Sequence, residues 1–224
     1  MHSHIIPGID DGAKDLEDAV HLTRKLVELG YTKIITTPHI MGEYYLNTPE
    51  IIKNGLLKLR QALASQQIAI EVEAAAEYNV DEHFESLINS GQQLLTFFDN
   101  YILIEFSTFA LPGRVHEIIF QLKARGYKVI LAHPERYLYL SKQLDVLKEL
   151  KSLGVFFQVN LLSLAGHYGP AQKKMGIKLL NADWVEFLGT DLHRKEHIKK
   201  LSSIFQDKKV ANLILERTFM NTEL

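Results

Sequence analysis

The chain has 224 residues, 46% hydrophobic and 23% charged, with a formal net charge of -2 at pH 7. This size and balance fit one large globular domain over residues 1–224, and the near-neutral charge excludes a broad electrostatic pull toward nucleic acid or a membrane surface. The absence of cysteine removes disulfides, thiolate metal sites and a cysteine nucleophile, and the lack of a bilayer-spanning apolar run or a secretory leader pattern leads us to expect a cytoplasmic protein.

The chain opens on "MHSHIIPGIDDG", residues 1–12. In an extended segment the side chains at i and i+2 share a face, so His2 and His4 could grip one ion together. A helix is expected over 15–29, where Leu16, Ala19, Val20, Thr23, Leu26 and Val27 form one stripe between an Asp15 cap and a Gly30 stop. A strand follows in "YTKIITTPH" (31–39), and Thr48-Pro49-Glu50 starts a second helix over 49–65. Further strands are expected in 68–78, 101–107, 127–136, 155–164 and 184–193, with helices over 81–90, 113–125, 142–153, 170–180 and 194–205. Counting the "HSH" segment gives seven strands alternating with helices, a pattern that favours a parallel sheet, closed as a barrel or open and doubly wound.

Ten histidines are present, and His2, His4, His39, His133 and His193 fall at or just beyond the C-terminal ends of expected strands. Glu77, Glu105, Asp191 and Asp10 share that placement. In a parallel α/β fold all strand C-termini meet on one face, where active sites assemble. Imidazoles and carboxylates without thiolates suit zinc, manganese or iron, and so many donors exceed the needs of one ion, which implies a cluster. His21, His83, His116, His167 and His197 fall in helices or loops and are read as solvent-exposed or capping residues. Arg136, three residues after His133, is placed to lie beside the site, where its planar fork could clamp an anion, with Arg194 beside His193 as a second candidate. Met41, Tyr44 and Tyr45, directly after His39, could wall an aromatic ring.

The motifs "HSH", "TPH", "AAEY", "AHPER" and "GTDLH", in this order along nearly the whole chain, resemble those of the PHP (polymerase and histidinol phosphatase) metallohydrolases. With "HSHIIPGIDDGAKD" and "LIEFS" added, the chain resembles the branch of manganese-dependent bacterial protein tyrosine phosphatases of capsule and exopolysaccharide synthesis. The resemblance implies an α/β fold, a distorted (β/α)7 TIM-like barrel, holding two to three divalent ions, manganese first with iron or zinc as alternatives. It implies a first metal on His2, His4, Glu77 and Asp191, a second on Glu77, Glu105 and His133, and a third on Asp10, His39 and His193. Asp10 and Glu105 stand where many family members place histidine, which favours the tyrosine phosphatase branch over a histidinol phosphatase. Only Met1 precedes His2, where the family usually supplies an apolar strand, a departure that bears on the barrel's first strand.

The implied reaction is hydrolysis of phosphotyrosine by in-line attack of a metal-bridging hydroxide, on a phosphoprotein partner such as a capsule-associated tyrosine kinase, with an oligomer allowed. Four other readings compete. An amidohydrolase also begins with HxH but normally needs eight strands and a longer chain. A phosphodiesterase of the same family wants a basic groove that the composition does not supply. A histidinol-phosphatase-like enzyme and a non-catalytic metal-binding regulatory module complete the alternatives.

Overall fold

Strand pairing is parallel throughout the two sheets. The computed structural model describes residues 1–98 and 100–224. Its strands are β1 (Lys33–Thr36), β2 (His39–Ile40), β3 (Glu71–Ala74), β4 (Glu77–Asn79), β5 (Tyr101–Glu105), β6 (Lys128–Ala132), β7 (Phe156–Asn160) and β8 (Phe187–Gly189). One sheet has the order β2-β4-β5-β6-β7-β8, and β1 pairs with β3. The helices are α1 (Leu16–Glu28), α2 (Pro49–Ser65), α3 (Glu82–Asn89), α4 (Val115–Ala124), α5 (Leu144–Ser152), α6 (Leu161–Leu164), α7 (Pro170–Asn181), α8 (Lys195–Ser203) and α9 (Lys208–Leu215). None among the described residues is long and apolar enough to cross a membrane.

All seven helices expected from periodicity are present with ends within about two residues of the expected ones. Their starts carry the anticipated caps: Asp15 accepts the Asp18 N–H at 2.9 Å, and Thr48 accepts that of Ile51 at 3.3 Å ahead of Pro49. The strands differ more. Segments 31–39 and 68–78 are each split in two, yet β1 on β3 and β2 on β4 keep one register, with Lys33 opposite Glu71 and His39 opposite Glu77. Pro38 has no N–H to give the ladder, so the pairing is interrupted there. The expected strand over 155–164 stops at Asn160, where the chain turns into α6, and α9 was not anticipated. The "HSH" strand is reduced to one bridge, Ser3 with Leu192. Its backbone still links two edges: Ser3 O accepts the Thr37 N–H at 2.8 Å, and the His4 N–H donates to Leu192 O at 2.8 Å.

Both faces of the sheet are buried, which is why the strands read as nearly continuous apolar runs. Ile102, Ile104, Val129, Leu131, Phe157 and Val159 pack outward into the cluster that holds α3, α4, α5 and α7. Residues of the opposite parity, Ile35, Ala75, Leu103, Ile130, Ala132 and Phe187, form a separate inner cluster. Continuing that parity toward the strand C-termini gives His39, Glu77, Glu105 and, beyond β8, Asp191. The alternation that fills the interior with apolar side chains also delivers the donors to one end.

Candidate metal centre

His2 and His4 are fully buried, with their Nε2 atoms 3.3 Å apart, as the shared face of an extended segment requires. The turn after them folds back onto their backbone: Ala13 donates its N–H to His4 O at 2.9 Å, and a Cβ at Gly12 would overlap that carbonyl oxygen and lie 2.8 Å from its carbon. Only glycine allows this approach, and it carries Asp10 and Asp11 to the imidazoles.

Glu77 is shared between groups. Its Oε2 lies 3.3 Å from His2 Nε2, 3.4 Å from His4 Nε2 and 3.2 Å from His39 Nδ1, while its Oε1 lies 3.0 Å from His133 Nε2. Glu105 reaches His39 Nδ1 at 3.0 Å with Oε1 and His133 Nε2 at 3.7 Å with Oε2. Asp191 divides its oxygens. Oδ1 faces His2 Nε2 at 3.4 Å and His193 Nδ1 at 3.4 Å, whereas Oδ2 accepts from Arg136 Nη1 at 3.1 Å, Asn160 Nδ2 at 2.6 Å and the Tyr168 hydroxyl at 3.0 Å. With three donors on Oδ2, only Oδ1 is free to face the cluster.

His4 and His193, like His2 through Gln158, are oriented through Nδ1. His4 Nδ1 is 2.8 Å from Asp10 Oδ2, and His193 Nδ1 is 2.9 Å from the Asp191 carbonyl, which turns both Nε2 atoms inward. His193 Nε2 lies 3.4 Å from Asp11 Oδ1, and His39 Nε2 lies 3.5 Å from the same oxygen. Four groups could each hold a cation: His4, Asp11, His39 and His193; His2, His4 and Glu77; His2, His133 and Asp191; His39, Glu77 and Glu105.

The donor set fits divalent cations. Glu77 Oε2, Glu105 Oε1, His39 Nδ1 and His133 Nδ1 are buried without a hydrogen-bond partner, although imidazole nitrogens and carboxylate oxygens stand about 3 Å apart. Such contacts place lone pairs around shared points instead of along N–H directions. Burial opposes charge on Glu77 and Asp191, yet the neighbouring imidazoles, joined at Asp191 by Arg136, hold both carboxyls well below the usual range. Burial likewise opposes the His39 cation, but Glu105, Glu77 and Asp10 raise its pKa to about 10. Three residues of the cluster, His2, His133 and Asp191, have left-handed backbones with φ of 61°, 35° and 49°. Strain of about 1–3 kcal/mol per such residue persists where the surroundings over-determine it. At His133 they do so through Glu135, whose buried carboxylate accepts from Ser163 Oγ at 2.6 Å and the Asn160 N–H at 3.0 Å.

A cavity of about 360 Å³ opens over the cluster, with Met41, Tyr45, Arg136, Tyr168 and Arg194 in its walls. Tyr45 stacks on His39 with ring centroids 5.7 Å apart, and the Arg136 guanidinium sits 4.6 Å from the Tyr168 ring centre.

The sequence profile of the family described as "Capsular polysaccharide synthesis, CpsB/CapC" matches residues 1–220. The chain belongs to the CpsB/CapC family. Among its relatives, the tyrosine-protein phosphatase YwqE of Bacillus subtilis (strain 168) is 31% identical over 194 residues, covering 86% of this chain and 76% of the relative. The tyrosine-protein phosphatase CpsB of Streptococcus pneumoniae is 26% identical over 201 residues, covering 86% of this chain and 82% of that protein. A crystal structure from work on YwqE and CpsB, described there as metal-dependent tyrosine phosphatases, superposes with a TM-score of 0.82 at 27% identity, over 97% of this chain and 94% of that one.

In this CpsB/CapC chain, eight of the nine side chains singled out as donors, His2, His4, His39, Glu77, Glu105, His133, Asp191 and His193, stand in the four groups that could hold an ion. Asp10 does not. Its oxygens are taken by His4 Nδ1, the His39 N–H at 3.1 Å and the Gly12 N–H at 3.0 Å, while its neighbour Asp11 faces His39 and His193. Adjacent acids on a turn point different ways, and sequence offers no signal to sort them. Arg136 is at the site but tied to Asp191, and Arg194 is on the exposed rim. Tyr44 is 72% exposed and absent from the cavity wall that Met41 and Tyr45 form. His116 is exposed on α4, as expected. His197 corrects the reading of a solvent-exposed residue: it is buried beside the cavity, where Nδ1 accepts the His193 N–H at 3.3 Å and burial lowers its pKa to about 4. Tyr168, in a loop without periodicity, gave no sequence signal.

Proposed function

We propose that this chain is a metal-dependent protein tyrosine phosphatase, one catalytic domain over residues 1–224, acting in the cytoplasm on a phosphotyrosine protein such as a capsule-associated tyrosine kinase. We read its fold as a distorted (β/α)7 barrel, a reading supported by the backbone links of residues 3 and 4 to Thr37 and Leu192. The observation that carries the function is the convergence of His2, His4 and His39 on the unpartnered Oε2 of Glu77, beneath a cavity lined by two arginines.

His2, His4, Glu77 and Asp191 would hold one cation, Glu77, Glu105 and His133 a second, and His39, His193 and Asp11 a third, with manganese preferred and iron or zinc as alternatives. Asp11 replaces Asp10 in this assignment, and Asp10 orients His4. Bound cations supply Lewis acidity toward the phosphoryl oxygens and a nucleophile at neutral pH. Arg136 keeps Asp191 in place with Nη1 and offers its remaining N–H groups to the phosphate, and Arg194 adds charge from the rim. Met41 and Tyr45 form an apolar wall for the substrate ring. The leaving phenol has an ordinary pKa of about 10, so expulsion needs little help from a general acid.

A panel of phosphotyrosine peptide, phosphoserine peptide, histidinol phosphate and sugar phosphate tests the reading. The phosphotyrosine peptide should have the highest kcat/KM. Preference for either small phosphate would overturn the substrate class.

A further inference from the structure

Strand β7 supplies no donor to the cluster, yet its inward face carries Gln158 and Asn160, both entirely buried. Buried amides persist where their donors and acceptors are matched. Here they form a chain across the interior. His2 Nδ1 lies 2.5 Å from Gln158 Oε1, Gln158 Nε2 donates to Asn160 Oδ1 at 2.8 Å, and Asn160 Nδ2 donates to Asp191 Oδ2 at 2.6 Å.

The chain has one direction, set at its Asp191 end. An ionised carboxylate only accepts, so Asn160 must present its NH₂ group to Asp191 and its oxygen to Gln158. Gln158 must then present its NH₂ group to Asn160 and its oxygen to His2. The proton of the neutral His2 ring is thereby placed on Nδ1, and the lone pair on Nε2, which lies 3.3 Å from Glu77 Oε2 and 3.4 Å from Asp191 Oδ1. At the other end, Asn160 joins Arg136 and Tyr168 in occupying Asp191 Oδ2, leaving Oδ1 for the cluster. Gly189 on β8 accommodates this path. It pairs with Asn160 across the sheet, and a Cβ there would overlap Gln158 Nε2 and lie 2.6 Å from Gln158 Cδ.

We infer that Gln158 and Asn160 are positioning residues, a directional amide relay that ties the tautomer of His2 to the single-oxygen presentation of Asp191 and thereby sets the cation affinity of the centre. The inference rests on the metal-centre reading. Outer partners of metal-binding histidines typically change affinity by about 10- to 100-fold.

The experiment is manganese titration of metal-free protein, with the unfolding midpoint measured alongside, for wild type, Gln158→Leu, Gln158→Glu and Gly189→Ala. Gln158→Leu removes the acceptor for His2 and should weaken manganese binding about 10- to 100-fold. Gly189→Ala displaces Gln158 without altering any proposed ligand and should weaken binding in the same direction. Gln158→Glu keeps an acceptor for His2 but loses the N–H given to Asn160, so it should recover the part of the affinity that depends on His2, although a buried carboxylate lowers the unfolding midpoint more than leucine does. Affinity and stability therefore rank the two variants in opposite order, which a purely structural role would not produce. In zinc-loaded protein with ¹⁵N-labelled histidine, the His2 Nδ1–H should be observed in wild type and Gln158→Glu and lost in Gln158→Leu. Wild-type affinity in Gln158→Leu, or equal weakening by Leu and Glu, overturns the relay. Wild-type protein that binds neither manganese nor zinc overturns the metal-centre reading itself.

Discussion

The lower and upper halves of the inward sheet face are built from the same strands and differ in every other respect. Below, Ile35, Leu103, Ile130 and Phe187 pack as a buried apolar cluster. One pleat repeat above Leu103 stands Glu105, and just past the end of β6 stands His133 in a left-handed conformation. The lower half gains stability from apolar burial at about 25 cal/mol per Å². The upper half holds strained backbones and buried oxygens without donors, costs in stability that cations bound among them would offset. Folding and chemistry are thus divided along single strands, two residues apart.

The division breaks first under paired substitutions. Glu105→Ala and His133→Ala should bring phosphatase activity to background while the metal-free protein keeps its circular dichroism and unfolding midpoint. Leu103→Ala should do the reverse, lowering stability by about 2–5 kcal/mol in chemical denaturation with metal stoichiometry retained in the folded fraction. Loss of folding in the first two, or unchanged stability in the third, would erase the contrast.

A smaller effect is expected at Arg136. Losing a preorganised contact to developing charge costs about 2.7–4 kcal/mol, or on the order of 100- to 1,000-fold in kcat. Because Asn160 and Tyr168 still occupy Asp191 Oδ2, metal content in Arg136→Ala should be unchanged. Activity lost together with metal would make the arginine's hold on Asp191, and not its contact to the phosphoryl group, the source of the loss.

Protons, too, belong to the upper half. In metal-free protein burial disfavours the His39 cation, but Glu105, Glu77 and Asp10 outweigh it and the pKa rises to about 10, so the ring is protonated at neutral pH. Cation binding must displace that proton, so affinity rises with pH up to that value and falls as pH drops, with about one proton released per protein from this ring. Calorimetry in buffers of different ionisation enthalpy measures the release, and pH-independent binding would contradict the assignment of His39. The least effect belongs to His116→Ala on the exposed face of α4, where stability should move by no more than about 0.5 kcal/mol and activity not at all.

How much of this could be read in advance depends on the kind of signal. Helices with an apolar stripe and a capping residue, such as α1 and α2, are legible because periodicity and cap act on the same few residues. The donors on the rim were legible because strand ends are, and a parallel sheet sends its strand ends to one side. What escaped depends on backbone direction. The interruption at Pro38 leaves the register intact, and the choice between Asp10 and Asp11 is made by a turn closed on Gly12. His197 reads as solvent-exposed or capping because it falls within a helix and away from the strand ends, yet the first turn of α8 packs over the cavity. Gln158 and Asn160 left a trace: two amides two residues apart in "FFQVN" share the inward face of a buried strand.

In the proposed reading, the upper half works only with cations. Exhaustive dialysis against EDTA followed by manganese titration, with bound metal and turnover of a phosphotyrosine peptide followed together, tests it most directly. Turnover should vanish on dialysis, return in step with two to three manganese ions per chain, and be indifferent to iodoacetamide because the chain has no cysteine. Full turnover by protein stripped of metal would contradict it.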